Sequence, residues 1–395
     1  MINNKRFIPL LMYMLVAFGG IMVDIIVPSL PSMRSALGAS ETMTQWAFTA
    51  AMLGFGLGQL IAGFVVDAYG RKKPMLIGGM VLVVSLILTM MMSSMQAVIG
   101  LRLLQGLSVS FVCVGGRAVV KDLFHGDAYL KAINWLTISF AMGITLSPFV
   151  GGYIETLFGW QMVFIFLAVW VSIGCVLLWL FFEETHLNRE PLHLSTMKAN
   201  LSDILLNKNF QYIALACGIF YSILPTFNTV SSFLIQETLG YSPVFYGYLA
   251  LALGGCWLIG NITNHFLFHI TAMRKTVVSL GLSLLAVLLG IGYQFEFGLN
   301  IYAFIAPIGL IIFSLGMLFP LYLGHALGPF SHIAGIANAL VFSVCWLCTA
   351  LISLLASSLP LDSGIPLMAM YLVLIVLAMY LVLIVLAMGL VKKIK

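Results

Sequence analysis

Twelve apolar runs, each long enough to cross a bilayer, leave this chain few architectures. They fall at about residues 7–28, 43–66, 74–94, 97–119, 130–153, 160–182, 209–233, 243–268, 275–294, 299–324, 332–356 and 365–391. A run of about 18 or more residues with few charges reads as a membrane-spanning helix. Lipid offers the backbone no hydrogen-bond partners, so such runs must satisfy their own amides as helices. The runs come as six and six around a polar stretch at 183–208. The expected fold is an all-α membrane protein of two six-helix bundles, 1–182 and 209–395, with 183–208 as the linker. Only 8% of the residues are charged, against about 25% in soluble domains, and that excludes a water-soluble surface.

Charge placement orients the chain. Of the 18 Lys and Arg residues, all but Arg34 and Arg102 lie at the termini or in and beside the connections on the terminal side. The other side carries Glu41, Glu155, Glu237, Glu296 and Asp362. Cations mark the cytoplasmic face, so both termini are expected in the cytoplasm. Among the 13 acids only Asp24 falls well inside a run, and among the cations only Arg102.

A charge at a helix centre in lipid costs at least about 2.5–3.5 kcal/mol and marks a functional candidate. Asp24 lies late in the first run and Arg102 early in the fourth, at similar depth in the outer half. They can form a structural ion pair or share a wet cavity. Arg102 can also bind backbone carbonyls or set the proton affinity of Asp24.

Three short patterns stand out around that pair. Gly63, Asp67, Gly70, Arg71, Lys72 and Lys73 form a turn between runs two and three. Gly70 permits the tight reversal, and Asp67 can accept backbone N–H groups or pair with Arg71 or Arg117. Such a cluster would latch the cytoplasmic side. In the fourth run Leu101 and Arg102 are followed by Gln105 and Gly106. The fifth run holds Gly143, Ser147, Pro148, Gly151 and Gly152, small residues for close packing and a proline for a bend, suited to gating or to packing alike.

Together these patterns resemble the Major Facilitator Superfamily. The 63–73 turn is similar to its signature loop, the Arg102 stretch to its helix 4 motif, and Gly143–Gly152 to the helix 5 antiporter motif, with Ser147 where Gly is usual. Asp24, Pro28 and Pro31, with Arg117, Lys121 and Asp122, look like the Bcr/CflA type of drug:proton antiporter. The resemblance implies a 12-helix proton-coupled exporter of small, largely apolar or cationic compounds in the bacterial inner membrane, working by alternating access. Asp24 would exchange the proton and Arg102 would tune it. A dedicated transporter of one metabolite or siderophore with the same fold is the alternative.

For the cavity, Tyr13 is eleven residues before Asp24 and shares its helix face at about 100° per residue. Gln105 lies near the face of Arg102. Phe140, Phe227, Asn228 and Trp257 are the further candidates, since aromatic faces accept apolar or cationic guests. In the second half, residues 260–275 keep the cations of the 63–73 turn and lack its acid.

Other features read more plainly. His265 and His269 are spaced for a metal but lack a third ligand, and the six cysteines fall inside apolar runs, where they serve as small core residues. The nonapeptide at 369–377 repeats at 378–386. Nine residues are two and a half turns, so the copies face opposite sides of an apolar helix that suits a lipid-facing position. No catalytic constellation is present, and the chain is not expected to be an enzyme or to need a cofactor, a metal or nucleic acid. Its expected partners are the lipid bilayer, protons and a small-molecule substrate, and it is expected to act as a monomer.

Overall fold

The computed structural model describes residues 4–186 and 201–394. Most of the expected linker, with Arg189, Glu190 and Lys198, lies outside the described residues. Every regular element among the described residues is helical, and 12 of the helices are long and apolar enough to cross a membrane. They are α1 (Asn4–Asp24), α2 (Glu41–Tyr69), α3 (Lys72–Met90), α4 (Met95–Leu123), α5 (Gly126–Phe158), α6 (Trp160–Phe181), α7 (Lys208–Phe233), α8 (Pro243–Phe266), α9 (Ala272–Phe297), α10 (Ile301–Leu327), α11 (Ala334–Ala356) and α12 (Ile365–Ile394).

Several helices start outside their apolar runs because polar caps set the boundary. Ser40 accepts from the Met43 amide at 3.2 Å, Ser94 from Ala97 at 3.4 Å, and Asn207 from Phe210 at 3.1 Å. Each satisfies one of the amides that a helix start leaves unpaired. Apolar content alone cannot locate such a cap.

By contacts the chain divides into one unit of residues 1–194 with 243–247 and a second of 195–242 with 248–395. In the first, α2 packs on α4 so closely that a Cβ on Gly54 would sit 2.1 Å from the Leu103 carbonyl, and one on Gly106 2.1 Å from that of Ala51. Small residues are what bring helix backbones together where lipid supplies no hydrophobic drive. A core of Met12, Leu15 and Val16 from α1, Met75 from α3, Val119 from α4 and Leu178 from α6 fills the end that carries the 63–73 turn.

In the second unit, α12 departs from the purely lipid-facing helix expected of it. Its two nonapeptide copies do lie on opposite faces: Tyr371 is fully buried, whereas Tyr380 is 61% exposed. The Tyr371 hydroxyl donates to the Ile223 carbonyl of α7 at 3.0 Å, two residues before Pro225, which lies inside that helix. Each copy has a buried and an exposed side, with Val373 65% exposed in the first and Val382 2% exposed in the second, and the shift of half a turn decides which residues of the repeat are covered.

Candidate functional site

Helix α1 stops at Asp24, short of the end of its apolar run. Pro28 and Pro31 have no amide to donate, so the backbone passes through a 3-10 segment, Val27–Ser29, into a short helix, Leu30–Leu37. Stopping a helix orphans its last carbonyls. That of Ile21 is recovered by the Ile25 amide at 3.1 Å. Those of Met22 and Val23 are taken by Arg102.

The guanidinium of Arg102 is fully buried. Its Nη1 and Nη2 donate to the Met22 carbonyl at 3.3 and 3.2 Å, and Nη2 to that of Val23 at 3.3 Å. Nε reaches the Ala47 carbonyl of α2 at 3.4 Å. Nη1 also donates to Gln105 Oε1 at 2.9 Å, and Gln105 Nε2 is spent on Thr89 Oγ1 at 2.8 Å and the Ser85 carbonyl at 3.2 Å. Gln105 is thus a fully engaged brace for Arg102. Asp24, itself 2% exposed, interacts electrostatically with Arg102. A helix C-terminus carries roughly half a negative charge, so the helix end and Asp24 together compensate the buried cation. Of the uses open to Arg102 in the sequence, the bonds to backbone carbonyls are made, and a charge interaction with Asp24 accompanies them.

At the cation-rich end of the same unit, the turn between α2 and α3 centres on Arg71, which is 5% exposed. Its Nη1 donates to Asp67 Oδ1 at 2.6 Å and to the Val66 carbonyl at 2.9 Å, and its Nε to Asp122 Oδ2 of α4 at 3.0 Å. Burial alone would lower the proton affinity of Arg71, but the hydrogen bond and charge of Asp122, followed by those of Asp67, raise it above the ordinary guanidinium value. Arg117 lies on the neighbouring α4. It donates to Gln59 Oε1 of α2 at 2.9 Å and to the Cys113 carbonyl at 3.3 Å.

The acid that accepts backbone amides at this turn is Glu184, just past α6, and not Asp67. Its Oε1 accepts from the Arg71 amide at 2.9 Å and its Oε2 from the Lys72 amide at 3.2 Å. An anion at a helix start meets unpaired amides and the positive end of the dipole. Gly70 is required by its φ of +88°, and its missing side chain leaves room for the Glu184 carboxylate, which a Cβ would approach to 2.4 Å. Thr185 adds a bond to Asp122 Oδ2 at 2.9 Å, and Lys72 Nζ binds the Trp179 carbonyl of α6 at 3.1 Å. The sequence marked Glu184 only as a charge, because its partner lies 113 positions away.

The remaining candidates scatter. A Cβ on Gly63 would meet nothing within 4 Å, so no packing demands that glycine. Gly143 lies against the carbonyl of Ala17 of α1 and Gly151 against that of Ile25, just past the end of α1, where a Cβ would come within 2.3 and 2.0 Å. Pro148 falls between them inside α5, and Gly152 follows. Tyr13 packs beside the apolar core of the first unit, and Phe140 sits 6.5 Å from Phe55, ring to ring. In the second unit Phe227 is fully buried against Phe304, and Asn228 is buried beside it, whereas Trp257 stays partly open. His265 and His269 stack edge-on against Phe266 and Phe268. Among the described residues no three His, Cys, Asp or Glu side chains cluster to hold a metal.

Comparison with known proteins agrees with this fold. The chain is 26% identical over 358 residues to multidrug resistance protein D of Escherichia coli, covering 89% of this chain and 88% of that one. It is 25% identical over 365 residues to a bicyclomycin resistance protein homolog of Haemophilus influenzae, covering 90% and 89%. The crystal structure of a D-xylose-proton symporter superposes with a TM-score of 0.73 at 14% identity, covering 94% of this chain and 96% of that one. The family model of the Major Facilitator Superfamily matches residues 10–306. The chain, a multi-pass membrane transporter and not an enzyme, belongs to the Major Facilitator Superfamily.

Proposed function

We propose that this transporter is a proton-coupled exporter of small, largely apolar or cationic compounds, in the drug:proton antiporter branch of its family. The observation that carries the reading is Asp24, a buried carboxyl at the broken end of α1, held there by a guanidinium that grips the two preceding carbonyls. A proton entering from outside neutralises Asp24, and its release inward accompanies substrate capture. Arg102 supports this exchange by its charge and by fixing the helix end that bears the carboxyl. The names of the resistance-protein relatives support efflux of drugs.

In this reading the protein is a monomer in the bacterial inner membrane with its termini in the cytoplasm, and the 63–73 network faces the cytoplasm as a latch. Two six-helix bundles, 1–182 and 209–395 with the linker between, alternate the access of one binding site. Weakly buffered purified protein tests the coupling. Adding drug is expected to release protons from the wild type and none from Asp24→Asn, and undiminished release from the variant would overturn the proposal.

A further inference from the structure

We propose that the turn between α8 and α9 holds the headgroup of an anionic phospholipid, with Lys275 at the centre of the site. Lys275 is only 7% exposed, and its Nζ donates to Asn264 Oδ1 of α8 at 2.8 Å. An ammonium carries three N–H donors. Among the described residues Asn264 is its one hydrogen-bond acceptor, and no acid pairs with it. A cation taken out of water needs an opposite charge to offset its desolvation, and a neutral amide does not supply one.

The chain has no acid to offer nearby, since no Asp or Glu occurs from 238 to 295. Arg274, exposed and one residue before Lys275, adds a second cation. Both stand in the first turn of α9, where the helix dipole is itself positive and favours an anion. In the first unit the matching position is satisfied from within, because Arg71 meets Asp67 and Asp122. In the second unit the missing anion has to come from outside the chain.

The surroundings point to a lipid as its source. On α9, Arg274 heads a row of exposed apolar residues: Val278, Leu285 and Leu289 follow four, eleven and fifteen positions later and are 55, 51 and 63% exposed. Those spacings keep to one helix face. On α8, Ile259, Ile262 and Phe266 are 57, 54 and 70% exposed, and Phe268 in the turn is 84% exposed. Acyl chains lie along these two apolar faces, and aromatic residues at the end of a span suit the membrane interface. The headgroup then meets Arg274 and Lys275 where the faces end, as in basic pockets between spanning helices. A soluble anion has no use for the apolar faces. The cytoplasmic orientation proposed above sets the leaflet, but binding itself rests on neither orientation nor transport.

Delipidated full-length protein in a non-ionic detergent would be titrated with dioleoyl phosphatidylglycerol, an anionic phospholipid, and with dioleoyl phosphatidylcholine, whose headgroup has no net charge. Native mass spectrometry counts the lipids bound. Phosphatidylglycerol is expected to fill one tight site in the wild type and to bind Lys275→Met about tenfold more weakly, on the scale of a hydrogen bond to a charged group. Lys275→Arg should keep the site. Arg274→Gln, at an exposed position, should weaken binding about fivefold even if Lys275→Met does not fold. Lys208→Met, which removes an exposed cation from the start of α7, should leave the tight site unchanged. Undiminished binding to the folded Lys275 and Arg274 variants, an equal loss in Lys208→Met, or phosphatidylcholine binding as tightly as phosphatidylglycerol would overturn the proposal. Displacement of the lipid by millimolar inorganic phosphate would overturn the lipid as the ligand. None of these results touches drug-driven proton release at Asp24, so the two readings fail separately.

Discussion

The turn between α2 and α3 and the turn between α8 and α9 join the second and third helices of their respective sixes, yet they are built on different chemistry. The first reverses at once through Gly70 and closes around Arg71, which meets Asp67 and Asp122 while Glu184 caps the following helix. The second takes five residues, 267–271, to reach α9. There Lys275, 7% exposed, donates to Asn264 Oδ1 at 2.8 Å. An amide stands where the first turn has an acid. One turn is an ion network that ties α2, α3, α4 and the segment after α6 together. The other is a single neutral-acceptor bond between two neighbouring helices. In the first turn, moreover, strength is unevenly distributed: the Asp67 side chain is 71% exposed and that of Asp122 only 19%.

This contrast can be broken by substitution. Arg71→Leu should have the largest effect, since removing one partner of a buried pair costs up to about 3–5 kcal/mol and two acids are left without their cation. A clear drop in the apparent melting temperature in detergent, with loss of transport, is expected; wild-type melting would show that the network carries no stability. Glu184→Gln should come next. It keeps the shape but removes the charge from the start of α3, worth about 0.3–1 kcal/mol for an exposed site and up to ~2 kcal/mol when partly buried. Faster proteolysis between α6 and α7 is the readout.

Asp67→Asn should barely move stability, because exposed pairs contribute about 0–1 kcal/mol, yet it should lower transport while membrane insertion stays intact. Transport at the wild-type rate would remove the latch. Smallest of all, Lys275→Met should change melting by no more than about 1 kcal/mol, the net worth of one hydrogen bond. A loss as large as that of Arg71→Leu would mean that the two turns are equivalent after all.

Much of the fold was legible because lipid imposes a one-dimensional rule. Any segment that crosses the bilayer must be apolar over its whole length and helical, so run length and cation placement revealed the helices without knowledge of their packing. Asp24 and Arg102 emerged for the same reason, as the two charges out of place. Boundaries were less legible where a cap or a proline decided them: Ser40 extended α2 upstream of its apolar run, and the prolines ended α1 at Asp24. The nonapeptide repeat shows the limit most directly. Identical residues at 371 and 380 end in a buried hydrogen bond and on the exposed surface, because nine residues turn the helix by half a turn beyond two full turns.

By itself, the sequence determined that this protein is a twelve-helix membrane transporter and which two charges interrupt its apolar runs. Only the tertiary structure decided what those charges touch. The Met22 and Val23 carbonyls became ligands of Arg102 because α1 happens to break where α4 passes. Glu184 reached the Arg71 amide across 113 positions, and Asn264 of one helix met Lys275 of the next. Local pattern specifies burial and helicity, which are properties of a segment. Pairing is a property of two distant segments, and no single stretch of this chain encodes it.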